Sequence, residues 1–314
     1  MLAVLPLIAA LLVGRAAAQD RDQQWEWCRL NDERGNARPG TTADLAIGAC
    51  TTLIQSGRET TQNLATAFNN RGGAYFNKGQ YDRAIEDYDQ ALRLNPSDAV
   101  AFSNRGNAYS RKGQYDRAIE DYDQAIRLDP NYVSAFNDRG NAYSSKGQYD
   151  RAITDYDQAL RLDPNYVFAF NNRGFAYARK GQYDRAIQDY DQLIRLLPDN
   201  ATVWNSRCWA RALANRLAEA LADCNQSLRL RAGDGNTLDS RGLVYLKLRK
   251  PDSALADYDA ALKIDPRQAH WLYGRGLAKH MRGDRAGGNS DLVNAKLIDP
   301  EIAATYAKYG LPAP

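Results

Sequence analysis

Few side chains in this chain are placed to do chemistry at a single point. Its 314 residues hold two histidines and four cysteines. His270 and His280 stand ten residues apart, with no nucleophile or metal-ligand pattern around them. Cys28, Cys50, Cys208 and Cys224 have no Cys-x-x-Cys spacing, so neither a redox pair nor a zinc site is expected. What recurs instead is charge and amide. An arginine returns every 34 residues, at Arg71, Arg105, Arg139, Arg173, Arg207, Arg241 and Arg275. Sixteen residues after each stands an aspartate: Asp87, Asp121, Asp155, Asp189, Asp223, Asp257 and Asp291. Equal numbers of opposite charge read as a structural ladder that fixes register. An anion-binding row of arginines is the rival, and the matched aspartates would neutralise it. Amides form a second series at Asn69, Asn70, Asn104, Asn107, Asn137, Asn141, Asn171, Asn172 and Asn205. An amide both donates and accepts, so a row of them can hold an extended peptide backbone without reading much sequence. The alternative is a set of solvated polar residues on a hydrophilic groove.

The elements that must position these groups follow from the same period. With Ala65 as position 1, seven copies run through 65–98, 99–132, 133–166, 167–200, 201–234, 235–268 and 269–302. A fixed period of this length marks helical hairpins that cannot bury their apolar faces alone and therefore stack. Position 4 is large and apolar, from Phe68 and Phe102 to Leu272. Positions 8 and 20 are small, as at Gly106 and Ala118, and position 24 is bulky, as at Tyr122. Small residues let two antiparallel helices approach, and the aromatic fills the hole beside them. Lys112-Gly113-Gln114 breaks the first helix before the second begins. Asp129-Pro130 ends one hairpin and is expected to open the next helix, aspartate as cap and proline in the first turn.

These positions resemble the tetratricopeptide repeat, over about three-quarters of the chain. The resemblance implies an all-α fold: a right-handed superhelical solenoid of stacked antiparallel helix pairs. It implies that the first helix of each pair lines a concave groove through positions 2, 5, 6, 9, 12 and 13. The asparagines named above fall on positions 5, 6 and 9. Phe168, Phe175 and Trp209 fall on positions 2, 9 and 9, and are expected to gather there, with Arg179 and Arg111 nearby, as a partner-binding patch. Aromatics in such repeats are also often core. In the same frame Cys208 and Cys224 occupy positions 8 and 24 of the fifth copy, which face each other across a hairpin. Cys28 and Cys50 take equivalent places in an irregular first hairpin, if the loop from Asn31 to Asp44 is longer than usual. Two disulfides, Cys28–Cys50 and Cys208–Cys224, are therefore expected in an oxidising compartment, against four buried free thiols in a reducing one. The arginine at position 7 departs from the family, where leucine is usual. The lysines of the chaperone-binding carboxylate clamp are also missing, since position 5 begins Asn69, Ser103, Asn137.

Outside the repeats, residues 1–18 read as an export signal. Leu2 to Val13 is apolar but too short to cross a bilayer comfortably, and Ala16-Ala17-Ala18 suits a signal peptidase. The expected location is the periplasm of a Gram-negative bacterium, with secretion or retention by an uncleaved segment as alternatives. Residues 19–64 form an irregular N-terminal cap. Residues 303–314 end a C-terminal cap helix, which is expected to cover the last hairpin. With 41 basic and 38 acidic residues the net charge is +3, too small to imply a nucleic-acid partner. No cofactor is expected, and no stable membrane insertion once the signal is removed. The function these features imply is a non-enzymatic scaffold that binds a protein or extended peptide in its groove. Envelope-glycan binding and self-association are the alternatives.

Overall fold

The computed structural model of the chain describes residues 20–29 and 42–312. The export-signal reading of residues 1–18 and most of the loop expected from Asn31 to Asp44 lie outside them. Among the described residues every regular element is a helix. The chain divides into two compact units, one ending at Leu162 and the other beginning at Asp163.

The first unit holds α1 (20–28), α2 (Ala43–Gln55), α3 (Thr61–Asn77), α4 (Tyr81–Leu94), α5 (Ala99–Arg111), α6 (Tyr115–Leu128), α7 (Val133–Ser145) and α8 (Tyr149–Leu162). The second holds α9 (Val167–Arg179), α10 (Tyr183–Leu196), α11 (Ala201–Leu213), α12 (Leu217–Leu230), α13 (Gly235–Lys247), α14 (Pro251–Ile264), α15 (Ala269–Met281), α16 (Arg285–Ile298) and α17 (Ile302–Lys308). Within each unit consecutive helices pair, and first helices also touch the first helix of the next pair, as α11 does α13 and α13 does α15. This is the helical solenoid architecture that the 34-residue period requires.

The period works because each hairpin but the fifth closes over a glycine. In the second copy α6 buries Ala118, Asp121, Tyr122 and Ala125, one stripe of its surface at helical spacing. The Tyr122 ring lies over Gly106 of α5, where an added Cβ would stand 2.8 Å from the ring. The same contact recurs at Gly72, Gly140, Gly174 and Gly242. In the fifth copy cysteines take both places.

Position 15 turns one helix into the next with φ above zero in every copy: Gly79, Gly113, Gly147, Gly181 and Gly283, but also Asn215 at 61° and Arg249 at 53°. A left-handed arginine costs roughly 1–2 kcal/mol. The Asp-Pro steps act differently from the expectation. Asp129 is the C-cap of α6, and the next helix starts only at Val133 with Tyr132 as its N-cap. Proline disfavours helical backbone in the residue before it, so the pair stops the old helix rather than opening the new one. Asp129 Oδ1 accepts from Asn131 N at 3.0 Å and shapes the turn.

Candidate functional site

The repeated arginine sets the register of the face that the first helices present. Arg139 Nε and Nη2 donate to Asp155 at 2.9 and 2.6 Å, a bidentate pair inside one hairpin. All seven arginines make this pair with the aspartate sixteen residues on. The pairs are not surface ion pairs: the Asp155 side chain is 6% exposed and that of Arg139 19%. The remaining nitrogen reaches back one copy. Arg139 Nη1 donates to Asp123 at 2.6 Å, Arg105 Nη1 to Asp89 at 2.6 Å, Arg207 Nη1 to Asp191 at 2.7 Å and Arg275 Nη1 to Asp259 at 3.0 Å. These position-25 acceptors had escaped the sequence reading. Their 34-residue recurrence was the available signal. In the first five copies the guanidinium also lies near the position-4 ring, as Arg139 does over Phe136 at 5.5 Å and Arg207 over Trp204 at 4.8 Å. Burial works against the Arg139 charge, but the hydrogen bonds to Asp155 and Asp123 prevail and its pKa stands above the ordinary arginine value. The ladder thus joins the two helices of a hairpin and one hairpin to the next.

The amide row is partly committed to the fold. The Tyr122 and Tyr156 hydroxyls donate to Asn107 Oδ1 at 2.7 Å and Asn141 Oδ1 at 2.8 Å. Asn104 donates to Asn69 at 3.1 Å across neighbouring copies. Asn137 is buried and donates to Asp138 at 3.1 Å, and Asn171 donates to Asn172 at 3.4 Å. Asn70 Nδ2 stands 4.0 Å from the Cys28 sulfur. Asn205 Oδ1 is buried without a hydrogen-bond partner. In copies two and three the position-9 asparagine thus supplies the acceptor that a buried position-24 tyrosine hydroxyl needs.

The three aromatics of the expected patch have different neighbours. Phe168 is 61% exposed and packs edge-on against Tyr166 at 5.5 Å. Phe175 is 51% exposed. Trp209 is half-buried, and Tyr309 stands edge-on to it at 5.2 Å between ring centres. Arg111 lies over Phe76, at 6.0 Å.

Tyr309 reaches Trp209 because the end of the chain returns along the first-helix face of the second unit. Tyr306 of α17 is fully buried against Tyr273 at 4.7 Å, and its hydroxyl donates to the His270 carbonyl at 2.8 Å. Tyr309 lies 6.3 Å from the His270 ring. Beyond it, Gly310, Leu311 and Pro312 help to line a cleft of about 530 Å³ with Leu246, Lys247, Arg249, Leu277, His280, Met281, Arg285 and Asn215. His270, Tyr273, Leu277, His280 and Met281 are positions 2, 5, 9, 12 and 13 of the seventh copy. The segment therefore sits on the positions that line a binding groove in repeats of this kind, rather than extending the stack. Beneath it lies Asp239, position 5 of the sixth copy. It is 9% exposed, its Oδ1 is without a hydrogen bond, and burial pushes its pKa up to about 7. The Tyr258 and Tyr273 hydroxyls are likewise buried and unpaired.

Both cysteine pairs are disulfides, Cys28–Cys50 with Cα atoms 4.8 Å apart and Cys208–Cys224 with 5.4 Å. Among the described residues no group of histidine, cysteine and acidic side chains could hold a metal. No helix there is long and apolar enough to cross a membrane.

Helix pairs stacked on a 34-residue period define a helical-repeat protein-interaction scaffold. The chain belongs to the tetratricopeptide repeat family: models described as TPR repeat and tetratricopeptide repeat match residues 72–113, 106–145, 140–181, 167–200 and 240–287. No curated protein sequence matches it. Among solved structures it is similar to YrrB, a TPR protein with an unusual peptide-binding site (24% identity, TM-score 0.52, 63% of this chain and 99% of that one). A tetratricopeptide repeat protein from Parabacteroides merdae is similar over 84% of this chain and 99% of its own, at 18% identity and TM-score 0.60. The APC/C hetero-tetramer Cut9–Hcn1 matches 86% of this chain and 52% of its own, at 14% identity and TM-score 0.62.

Proposed function

We propose that this protein is an exported scaffold that holds a segment of a partner protein against the faces formed by its first helices. The observation that carries this is the pairing of a rigid, register-fixed face with large apolar side chains left on it. Phe168 and Phe175 are 61% and 51% exposed although they lie on a helix whose other apolar residues are buried or half-buried. Exposed aromatics on a rigid helix lose little entropy when a partner covers them, which is why they serve as anchors. The peptide-binding site of YrrB is in keeping with a peptide ligand here. Two disulfides fit an oxidising compartment such as the periplasm, which residues 1–18 would address.

The test is selection from a displayed peptide library by the full chain and by its Phe168→Ala/Phe175→Ala variant. Enriched peptides should bind the parent at least ten-fold more tightly than the variant, with helix content unchanged. Peptides that bind both equally would remove these anchors from the reading.

A further inference from the structure

We propose that the first-helix face of copies five to seven is a second binding site, that it takes a helical turn carrying two aromatic rings followed by an acidic end, and that the chain's own C-terminal segment is its resident, displaceable occupant. The proposal deepens the scaffold reading and rests on it.

The segment shows what the face accepts. Tyr306 and Tyr309 are three residues apart, so they lie on one side of α17 and its final turn. Tyr306 fills the hole beside Tyr273 and gives its hydroxyl to the His270 carbonyl; Tyr309 stands against Trp209. Leu311 follows as an apolar anchor packed on the core of copies five to seven. This spacing of rings is the ligand pattern.

The described part of the occupant is not acidic where the cleft is basic. Residues 302–312 contain no Asp or Glu. Yet the cleft at the end of the segment is edged by Lys247, Arg249 and Arg285. Lys247 gives its ammonium to the Ala212 carbonyl and its pKa is held down by burial. Arg249 adopts φ of 53° at a position where five of the seven copies have glycine. Strain kept at one residue points to a use for its side chain. Asp239 adds a second weakness, since its sealed, unpaired Oδ1 lies beneath the segment. A partner that supplies the two rings and also an acid would satisfy the cleft better than the chain does itself.

The experiment uses the full chain, with fluorescence anisotropy of two labelled peptides. One is DPEIAATYAKYGLP, copied from residues 299–312; the other carries Asp-Glu at its end. Tyr309→Ala should bind the first peptide at least ten-fold more tightly than the parent, because its own segment no longer holds the site. The acidic peptide should bind Tyr309→Ala more tightly again, with an advantage that shrinks as salt rises. Trp209→Ala should bind neither. Leu311→Ser, outside the helix, is the second unmasking variant should Tyr309→Ala lose helix content. Equal binding by the parent and both variants, or no binding by a folded unmasked variant, overturns the proposal. That failure is distinct from failure of the scaffold reading, which the Phe168/Phe175 selection tests in separate copies. A dimer that exchanges C-terminal segments, seen by light scattering of Tyr309→Ala with the parent, would also overturn it.

Discussion

Asp239→Asn should stabilise the second unit, and only above a predictable pH. The carboxyl is 9% exposed and no cation offsets its burial; the groups that feel its charge are Tyr258 on α14, Tyr306 on α17 and Tyr309. All three tyrosines are raised, Tyr309 to about 12, so none titrates near neutrality. Burial raises Asp239 from 3.8 to about 7. The unfolded chain therefore loses this proton first. Below about pH 4 both states hold it and the group is neutral in its effect. Between about pH 4 and 7 the folded state alone keeps it, and stability falls by about 1.4 kcal/mol per pH unit. Above pH 7 the loss levels off, at roughly 4 kcal/mol as an upper bound. Asparagine keeps the shape and cannot ionise. Urea unfolding followed by tryptophan fluorescence, variant minus parent, should give no difference near pH 4 and a gain of a few kcal/mol at pH 8. A gain that is the same at both pH values, or a loss at pH 8, would refute the reasoning.

Other outcomes follow from the repeat itself. Arg139→Ala strands the buried Asp155 and should cost about 3–5 kcal/mol, whereas Asp155→Ala leaves Arg139 with Asp123 and should cost less. A double-mutant cycle in denaturant should show coupling of about 1–3 kcal/mol, and additive losses would mean that the pair is not one unit. Gly140→Ala places a Cβ 2.6 Å from Tyr156 Cε1 and should cost about 1–3 kcal/mol by overpacking. Gly147→Ala meets no neighbour but must hold φ of 72°, so its loss, about 1 kcal/mol, comes from backbone strain. Melting of both variants, with Tyr156→Phe unable to rescue the first and Tyr156→Leu able to do so in part, separates packing from strain.

Much of the fold was legible because one period carried it. Gly106 under Tyr122 and Gly113 in the turn each have one job, and the recurrence of each in five of the seven copies leaves little choice of architecture. The face was less legible. Position arithmetic put Asn107 and Asn141 on it, but could not say that Tyr122 and Tyr156 would claim their oxygens. It put Trp209 there too, but covering it takes Tyr309, a hundred residues away in sequence, folding back over three copies. That return depends on tertiary packing of Tyr306 into a hole made by Tyr273 and Tyr258, which no local pattern announces. The ladder was visible as paired residue types. Its depth was not, because burial of Asp155 is set by how closely α7 and α8 approach. The position-25 partners Asp89 and Asp123 could have been found from the same register. Asp239 gave a faint signal, as an acid where five other copies carry an amide, serine or tyrosine and one carries asparagine beside a cysteine pair.

The central claim is that the first-helix faces receive partner segments. A photoreactive phenylalanine analogue placed at Phe175 on α9, and in a second protein at Glu120 on the exposed side of α6, tests it in cells of the native host. The account predicts a discrete protein adduct from position 175 and none from position 120. Adducts from 120 alone, or none from 175 in a correctly folded protein, would contradict it.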